Sequence, residues 1–403
     1  MKLDNYHLTY CTNIHPGENW RQVFANLQHY IPALKNQLGY DKPFGIGLRL
    51  SDVATDELLE RDNLPDFQHW LQEQDLYVFT LNGFPYGGFH FSTVKDQVYA
   101  PDWSKSERVE YTLKLVSILA KILPDGVEGS ISTLPLSYKP WFKNKTLDLL
   151  STTVSATLNL VEVVAKMIHI REATGKMLHL GLEPEPDGLI ENGAEVVNYF
   201  QEFLLPIGGS SLANRLKISQ EAAEVLLLEH VRICYDTCHF AVEYENPISV
   251  LKQFQAVGIK VGKIQISAAL QVNLPSNVEQ RNILKHKLQP FAESTYLHQV
   301  IACEGNNLYR YSDLDQALSD FETGANQWRV HFHVPIFIRD FDGLQSTQDD
   351  IIDVISLLKT HNFCSHLEIE TYTWEVLPLA MKLDLLASIQ REYKWLLNLL
   401  ITT

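Results

Sequence analysis

The sequence predicts a single (β/α)8 TIM barrel with an insertion between its seventh and eighth strands. Three observations predict it. Eight short β-rich runs alternate with helical stretches along the 403 residues. Several of those runs end on a carboxylate or an imidazole, and a parallel barrel gathers the C-terminal ends of all its strands on one rim. No internal repeat, low-complexity tract or linker marks a second domain, so residues 1–403 read as one barrel with 268–328 as an insertion within it.

Residues 6–11 are the first predicted strand. The loop 12–17 leads to a helix over 18–37, in which Trp20, Val23, Phe24, Leu27, Ile31 and Leu34 recur at helical spacing. The second strand, 44–50, is capped by Ser51 and Asp52, and a helix rich in leucine and charge follows to about 74. The third strand, 76–81, runs into a glycine- and aromatic-rich loop from Asn82 through Phe84, Phe89 and His90 to Phe91. Such a loop lines a pocket when a rigid scaffold carries it, and an ordinary packed loop is the alternative. Helix 104–123, strand 129–134 and a long helix over 147–173 precede the fifth strand, which ends at Glu183.

More helix, including 220–228, precedes the sixth strand at Asp236. Helix 247–257 and the seventh strand, 260–267, come next. From 268 to about 328 the rhythm breaks, with a strand-like run at 299–303 and a helix at 313–321. This insertion is expected over the barrel mouth, with the His331 to His333 segment at its end. Helix 348–360, the eighth strand, 366–370, and a last helix over 380–400 complete the prediction.

The strand ends carry the chemistry. Val231-Arg232-Ile233-Cys234-Tyr235 runs into Asp236, and a turn places His239 three residues later, so both side chains can converge on one point. In His179-Leu180-Gly181-Leu182-Glu183-Pro184-Glu185, the period of two sets Leu180 and Leu182 on one face and Glu183 on the other, just where Pro184 ends regular pairing. Leu367-Glu368-Ile369-Glu370-Thr371 repeats the pattern, and His331 and His333 share a strand face. An isolated carboxylate facing a core costs several kcal/mol unless paired or metal-bound, so roughly convergent acids make a cation the economical explanation. Glu183, Asp236, Gln265, His333 and Glu370 are expected on one rim. Glu185 and Glu368 read either as supports for a ligand or as solvated neighbours. His179 reads as a satisfied barrel-interior histidine, and Cys234 and Cys238 as small strand-end residues rather than ligands.

Composition narrows the partners. The charge of −16 offers no footprint for a phosphate backbone, which argues against nucleic acid. Five cysteines form no CxxC, which suits a reducing compartment. The N-terminus has no apolar h-region and no run approaches the length of a membrane span, so a cytoplasmic protein without a span is expected.

These residues resemble the xylose isomerase-like superfamily of sugar and sugar-phosphate isomerases and epimerases, inosose dehydratases and endonuclease IV. There a Glu ends the fifth strand, Asp-x-x-His the sixth, a His lies on the seventh and a Glu ends the eighth. Here these positions fall on Glu183, Asp236 with His239, Gln265, and Glu370, and the family's histidine-bearing hairpin after the seventh strand is matched by His331-Phe332-His333-Val334-Pro335. The match covers nearly the whole barrel. A narrower resemblance is to EboE-type metabolite-traffic proteins, through Leu182 to Pro186, His331 to Pro335 and Leu367 to Thr371. One departure is Gln265, since an amide oxygen is a weaker donor to a transition metal than imidazole. Either His239 or His333 compensates, or the site holds metal loosely.

The resemblance implies a divalent cation, Mn²⁺ or Zn²⁺ before Mg²⁺ or Co²⁺, bound by Glu183, Asp236, His239, Gln265, His331, His333 and Glu370. It implies proton transfer by Glu183 and Glu370 between neighbouring carbons of a polyhydroxylated or hydroxy-carbonyl metabolite. Arg49, Lys263, His15, His90 and Trp374 are candidates to orient that metabolite, each with a structural role as the alternative. Trp374, Tyr372 and the aromatic loop could stack on a ring or an apolar tail. The competing functions are a metal-dependent hydrolase or phosphodiesterase on the same barrel and a non-catalytic metabolite-binding or traffic component. A homo-oligomer or partners from the same gene cluster complete the expectations.

Overall fold

The structure, a computed structural model, describes all residues except 91–93, 322–323, 375, 379–381, 383 and 402–403. Its eight barrel strands are Tyr6–Tyr10, Phe44–Arg49, Leu76–Asn82, Gly129–Thr133, Leu178–Leu182, Val231–Asp236, Val261–Ile266 and His366–Ile369. Neighbours pair in parallel from the second strand through to the eighth, and the eighth pairs in parallel with the first. The predicted barrel is therefore the fold of this chain. A short strand, Lys2–Leu3, adds an antiparallel edge to the first.

The seam between the first and second strands closes by other means. One bridge joins Cys11 to Gly47, and the Thr9 hydroxyl donates to the Gly45 carbonyl at 3.0 Å while accepting from the Gly47 amide at 2.8 Å. A side chain thus replaces ladder bonds. Gly47 is needed there, because a Cβ would stand 2.0 Å from Glu368 Oε1 and 2.8 Å from the Tyr10 carbonyl.

The helices lie where apolar spacing puts them, with polar caps at several starts. Asn19 caps Trp20–Gln37, Ser51 caps Asp52–Leu59, Ser219 caps Gln220–His230 and Asn246 caps Pro247–Ala256, each through a side-chain oxygen accepting a backbone N–H. The helix expected to run unbroken to about 74 is two, Asp52–Leu59 and Asn63–Glu73, with Arg61 between them at φ +48°. Helix Leu385–Ile401 closes the chain, and part of the expected start of that helix lies outside the described residues.

One expectation needs correction. Thr146–Thr174 is long and apolar enough by composition to cross a membrane. Its Leu160, Val164 and Met167 are buried and belong to the hydrophobic core, a pattern that the core helix of a folded domain shares.

Between the seventh and eighth strands lies a second, antiparallel sheet of six strands. Its spatial order is Asn307–Tyr311, Val300–Glu304, Gln327–Val334, Ala268–Asn273, Leu344–Ser346 and Asp340–Phe341. The break in rhythm at 268 marks its start, but its strands continue past 328 to Ser346. The central strand, Gln327–Val334, pairs with Ala268–Asn273 through a register shift between Val330 and His333. That irregularity sits at the histidine pair.

Candidate metal centre and cavity

The fifth, sixth and eighth strands each deliver an acid to the same rim. The Glu183 amide donates to the Thr133 carbonyl, and the Glu370 amide to the Ile266 carbonyl, each at 3.0 Å, so both carboxylates emerge one step beyond strand pairing. Asp236 ends the sixth strand and caps the helix Thr237–Val242. Its Oδ1 accepts from the Cys238 and His239 amides at 2.8 and 3.1 Å and from the Ser267 hydroxyl at 2.6 Å. Its Oδ2 is buried without a hydrogen-bond partner, as is Glu183 Oε2. Oxygens of Glu183, Asp236 and Glu370 lie within 4.8 Å of one another.

Three buried imidazoles stand beside these acids, and each is oriented the same way. His239 Nδ1 donates to the Pro184 carbonyl at 3.1 Å, His331 Nδ1 to Gln299 Oε1 at 2.9 Å and His333 Nδ1 to the Glu370 carbonyl at 2.6 Å. An oxygen acceptor at Nδ1 fixes the proton there and leaves the Nε2 lone pair free to bind a metal. The Gln299 amide is itself oriented, since its nitrogen donates to the Pro186 carbonyl at 3.2 Å. Ring centroids are 4.6 Å apart for His239 and His331, and 5.6 Å for His331 and His333. Both His331 Nε2 and His333 Nε2 are buried and partnerless.

Four overlapping donor groups result, each with its ligand atoms within 4.8 Å: Glu183 with Asp236 and Glu370; Asp236 with His239 and His333; Glu185 with His239 and His331; and Cys238 with His331 and His333. All of these side chains are buried. Partnerless buried oxygens and nitrogens gathered in this way suit a divalent cation bound by carboxylate and neutral imidazole.

The electrostatics agree. Burial, then the charges of Glu370 and Asp236, push the Glu183 carboxyl well up, and burial followed by Asp236 and Glu368 does the same to Glu370. Burial opposes ionisation of Asp236 too, but His239, His333, the Ser267 hydroxyl and the His239 amide hold it below the usual carboxylate range. Like charges this close need protons or a cation between them, and the acids titrate as a unit. Burial lowers His239 to about 4 despite Asp236, and lowers His331 well below the usual value, which keeps both rings in the neutral, ligating form. Glu185 is raised to about 8, first by burial.

A cavity opens above the rim. Glu183, Glu185, His239, His331 and Glu370 lie in its lining, together with Asn13 and Asn82. The amides of Asn13 and Asn82 both donate to Glu370 Oε1, at 2.8 and 2.9 Å.

Several expected residues lie elsewhere. Gln265 pairs in register with Glu368 rather than Glu370, and its carbonyl oxygen accepts from the Cys234 thiol at 2.9 Å. Its amide nitrogen, a donor, is buried without a hydrogen-bond partner. Lys263 bridges Ser132 and Glu368 inside the barrel at 2.9 and 2.6 Å. Arg49 pairs with Glu18 at 2.9 Å, and His15 meets the Tyr10 hydroxyl at 2.7 Å and stacks on Tyr30. His90 meets the Asn13 carbonyl at 2.6 Å, and Trp374 is buried after the last strand. None of these six lines the cavity. Glu368 is paired with Lys263 and Glu185 is buried, so neither is a solvated neighbour. His179 is buried in the barrel interior, but neither of its ring nitrogens has a hydrogen-bond partner, so it is not satisfied.

Other residues escaped the sequence reading. Cys238, set aside there, has its sulfur within reach of His331 and His333. Asn13 follows the first strand and Asn82 ends the third, and a strand-end position was the available signal. Gln299 had none.

No family model matches the chain, and no curated protein matches it by sequence. Among solved structures it is similar to an IOLI protein with a bound zinc atom, at 14% identity over 98% of each chain with a TM-score of 0.48. It is also similar to the probable 3-DHS dehydratase AsbF of Bacillus anthracis, at 11% identity over 98% of this chain and 99% of that one with a TM-score of 0.46. A xylose isomerase domain containing protein of Salmonella typhimurium LT2 matches at 12% identity over 100% of both chains with a TM-score of 0.45. Xylose isomerase domain proteins recur among these structures, the grouping that the strand-end motifs resemble. None of these likenesses bears on chemistry.

Proposed function

We propose that the chain is a divalent-metal-dependent enzyme of the isomerase or epimerase kind, acting by proton transfer on a polyhydroxylated or hydroxy-carbonyl metabolite. The observation that carries this reading is the gathering of buried, partnerless ligand atoms from Glu183, Asp236, His331 and His333, of which Glu183 and His331 line the cavity. Glu183, Asp236, Glu370 and His333 would hold the cation, with His239 and His331 beside them. Bound there, Mn²⁺ or Zn²⁺ polarises a carbonyl and acidifies the adjoining carbon.

The chain's own groups do the rest. Glu370, steadied by Asn13 and Asn82, takes a proton from carbon, and Glu183 returns one at the neighbouring carbon. Phe84, Phe89, Tyr99, Tyr296 and Tyr372, which also line the cavity, keep water from the exposed carbanionic carbon. The narrower EboE-type likeness rests on the sequence motifs quoted above.

A second reading, metal-dependent hydrolysis, is favoured by one observation. Four overlapping donor groups exceed what one cation needs, and paired cations suit water activation.

Metal content of the purified protein, beside Asp236→Ala and His333→Ala, tests the site. The reading expects about one or more equivalents in the wild type and loss in the variants. A wild type that stays empty after incubation with Mn²⁺ or Zn²⁺ removes the enzyme reading and leaves a metabolite-binding component. Turnover in isomerase and hydrolase panels then separates the two chemistries, and Glu370→Gln is expected to abolish isomerisation in a folded protein.

A further inference from the structure

The upper half of the cavity differs in kind from its floor. Phe89, Tyr296 and Tyr372 form a triangle of rings with centroids 5.2 Å apart for Phe89 and Tyr296, 5.3 Å for Phe89 and Tyr372, and 5.2 Å for Tyr296 and Tyr372. Phe84 and Tyr99 add a second pair at 5.7 Å, and all five line the cavity. The Tyr296 hydroxyl donates to the Phe89 carbonyl at 3.0 Å, so that group is spent within the wall and the tyrosine presents its ring. Tyr296 belongs to the insertion, which therefore shapes the site as well as supplying His331.

Charge in the same lining is one-sided. Among the described residues, Lys95 is the cationic side chain that reaches the cavity, and its Nζ lies 2.5 Å from Asp313 Oδ2. Glu183, Glu185 and Glu370 line the same space. A phosphate dianion entering here would meet carboxylates and a lysine already paired, without the guanidinium or free ammonium that phosphate recognition uses.

We infer that the metabolite carries an aromatic ring joined to its oxygen-bearing reactive part, and that it is not a sugar phosphate. The ring lies against Phe89, Tyr372 and Phe84, where ring faces and edges add attraction beyond the burial of area. The oxygens point down to the acids and imidazoles. This rests on the reading of the floor given above, and it names the substrate class of that same site.

The test is calorimetric titration of the full chain, loaded with Mn²⁺, with three probes: phenyl β-D-glucoside, glucose and glucose 6-phosphate. The phenyl glucoside is expected to bind at least about tenfold tighter than glucose, the size of one good aromatic contact, and glucose 6-phosphate no tighter than glucose. In Phe89→Leu the phenyl advantage should shrink severalfold while metal content stays at the wild-type value. Equal binding of phenyl glucoside and glucose, or no binding by either, overturns the inference, as does a preference for glucose 6-phosphate. The comparison is repeated on the metal-free chain. A ring preference that persists there supports the inference even if metal loading has failed, so a failure of the metal reading stays distinguishable.

Discussion

His333 Nδ1 lies 2.6 Å from the main-chain carbonyl oxygen of Glu370. The insertion's central strand and the eighth barrel strand are thereby locked together by two residues that both stand in the proposed ligand set. The hydrogen bond aims His333 Nε2 away from the carbonyl and fixes its tautomer.

This lock separates orientation from ligation. In His333→Asn the amide nitrogen can keep the bond to the Glu370 carbonyl, but the ligating nitrogen is gone. Metal affinity is expected to fall by more than the roughly 10- to 100-fold that loss of an outer partner costs, with the melting temperature of the metal-free protein little changed. Wild-type affinity in this variant, measured by competition with a chelator, would remove His333 from the ligand set.

Asn82 is expected to matter to rate rather than to fold. Its amide is one of two donors on Glu370 Oε1, and a hydrogen bond to a charged group contributes about 1.5–3 kcal/mol. Asn82→Ala should lower kcat by roughly 10- to 100-fold while metal content is unchanged. An effect confined to KM would place Asn82 with substrate binding instead.

The barrel interior makes a stability prediction. Lys263 and Glu368 form a buried pair at 2.6 Å, with both side chains almost fully enclosed. Lys263→Met leaves a buried carboxylate alone and should cost about 3–5 kcal/mol. Adding Glu368→Gln removes that charge and should restore part of the loss. Additive losses in denaturant unfolding would show that the two residues do not act as a pair.

Glu392 gives the pH dependence. Burial raises its carboxyl to about 8 from the ordinary 4.5, against the pull of the Thr371 hydroxyl and the Ile336 amide. The folded state then binds more protons than the unfolded chain between those values. Stability is full below about 4.5 and declines as pH rises towards 8, by at most about 1.4 kcal/mol per pH unit for this group. Glu392→Gln should flatten that part of the profile and raise the melting temperature above pH 8. A profile identical to the wild type would show that Glu392 is ionised at no such cost.

The barrel and the convergence of most candidate ligands were legible in the residues themselves. Chain direction and the period of two are local properties, so a parallel barrel needs only them to bring Glu183, Asp236 and Glu370 to one rim. Asp236 and His239 meet within one turn for the same reason. What folding alone settled depends on register and side-chain direction. Gln265 is in register with both Asp236 and Glu368, yet its side-chain oxygen turns to the Cys234 thiol, a matter of side-chain direction. Asn13 reaches Glu370 across 357 residues of chain. Tyr296, Gln299 and His331 reach the site because an antiparallel sheet folds the insertion back towards the mouth. Such contacts join segments whose own sequences carry no trace of one another, since packing between distant elements sets them and local pattern does not.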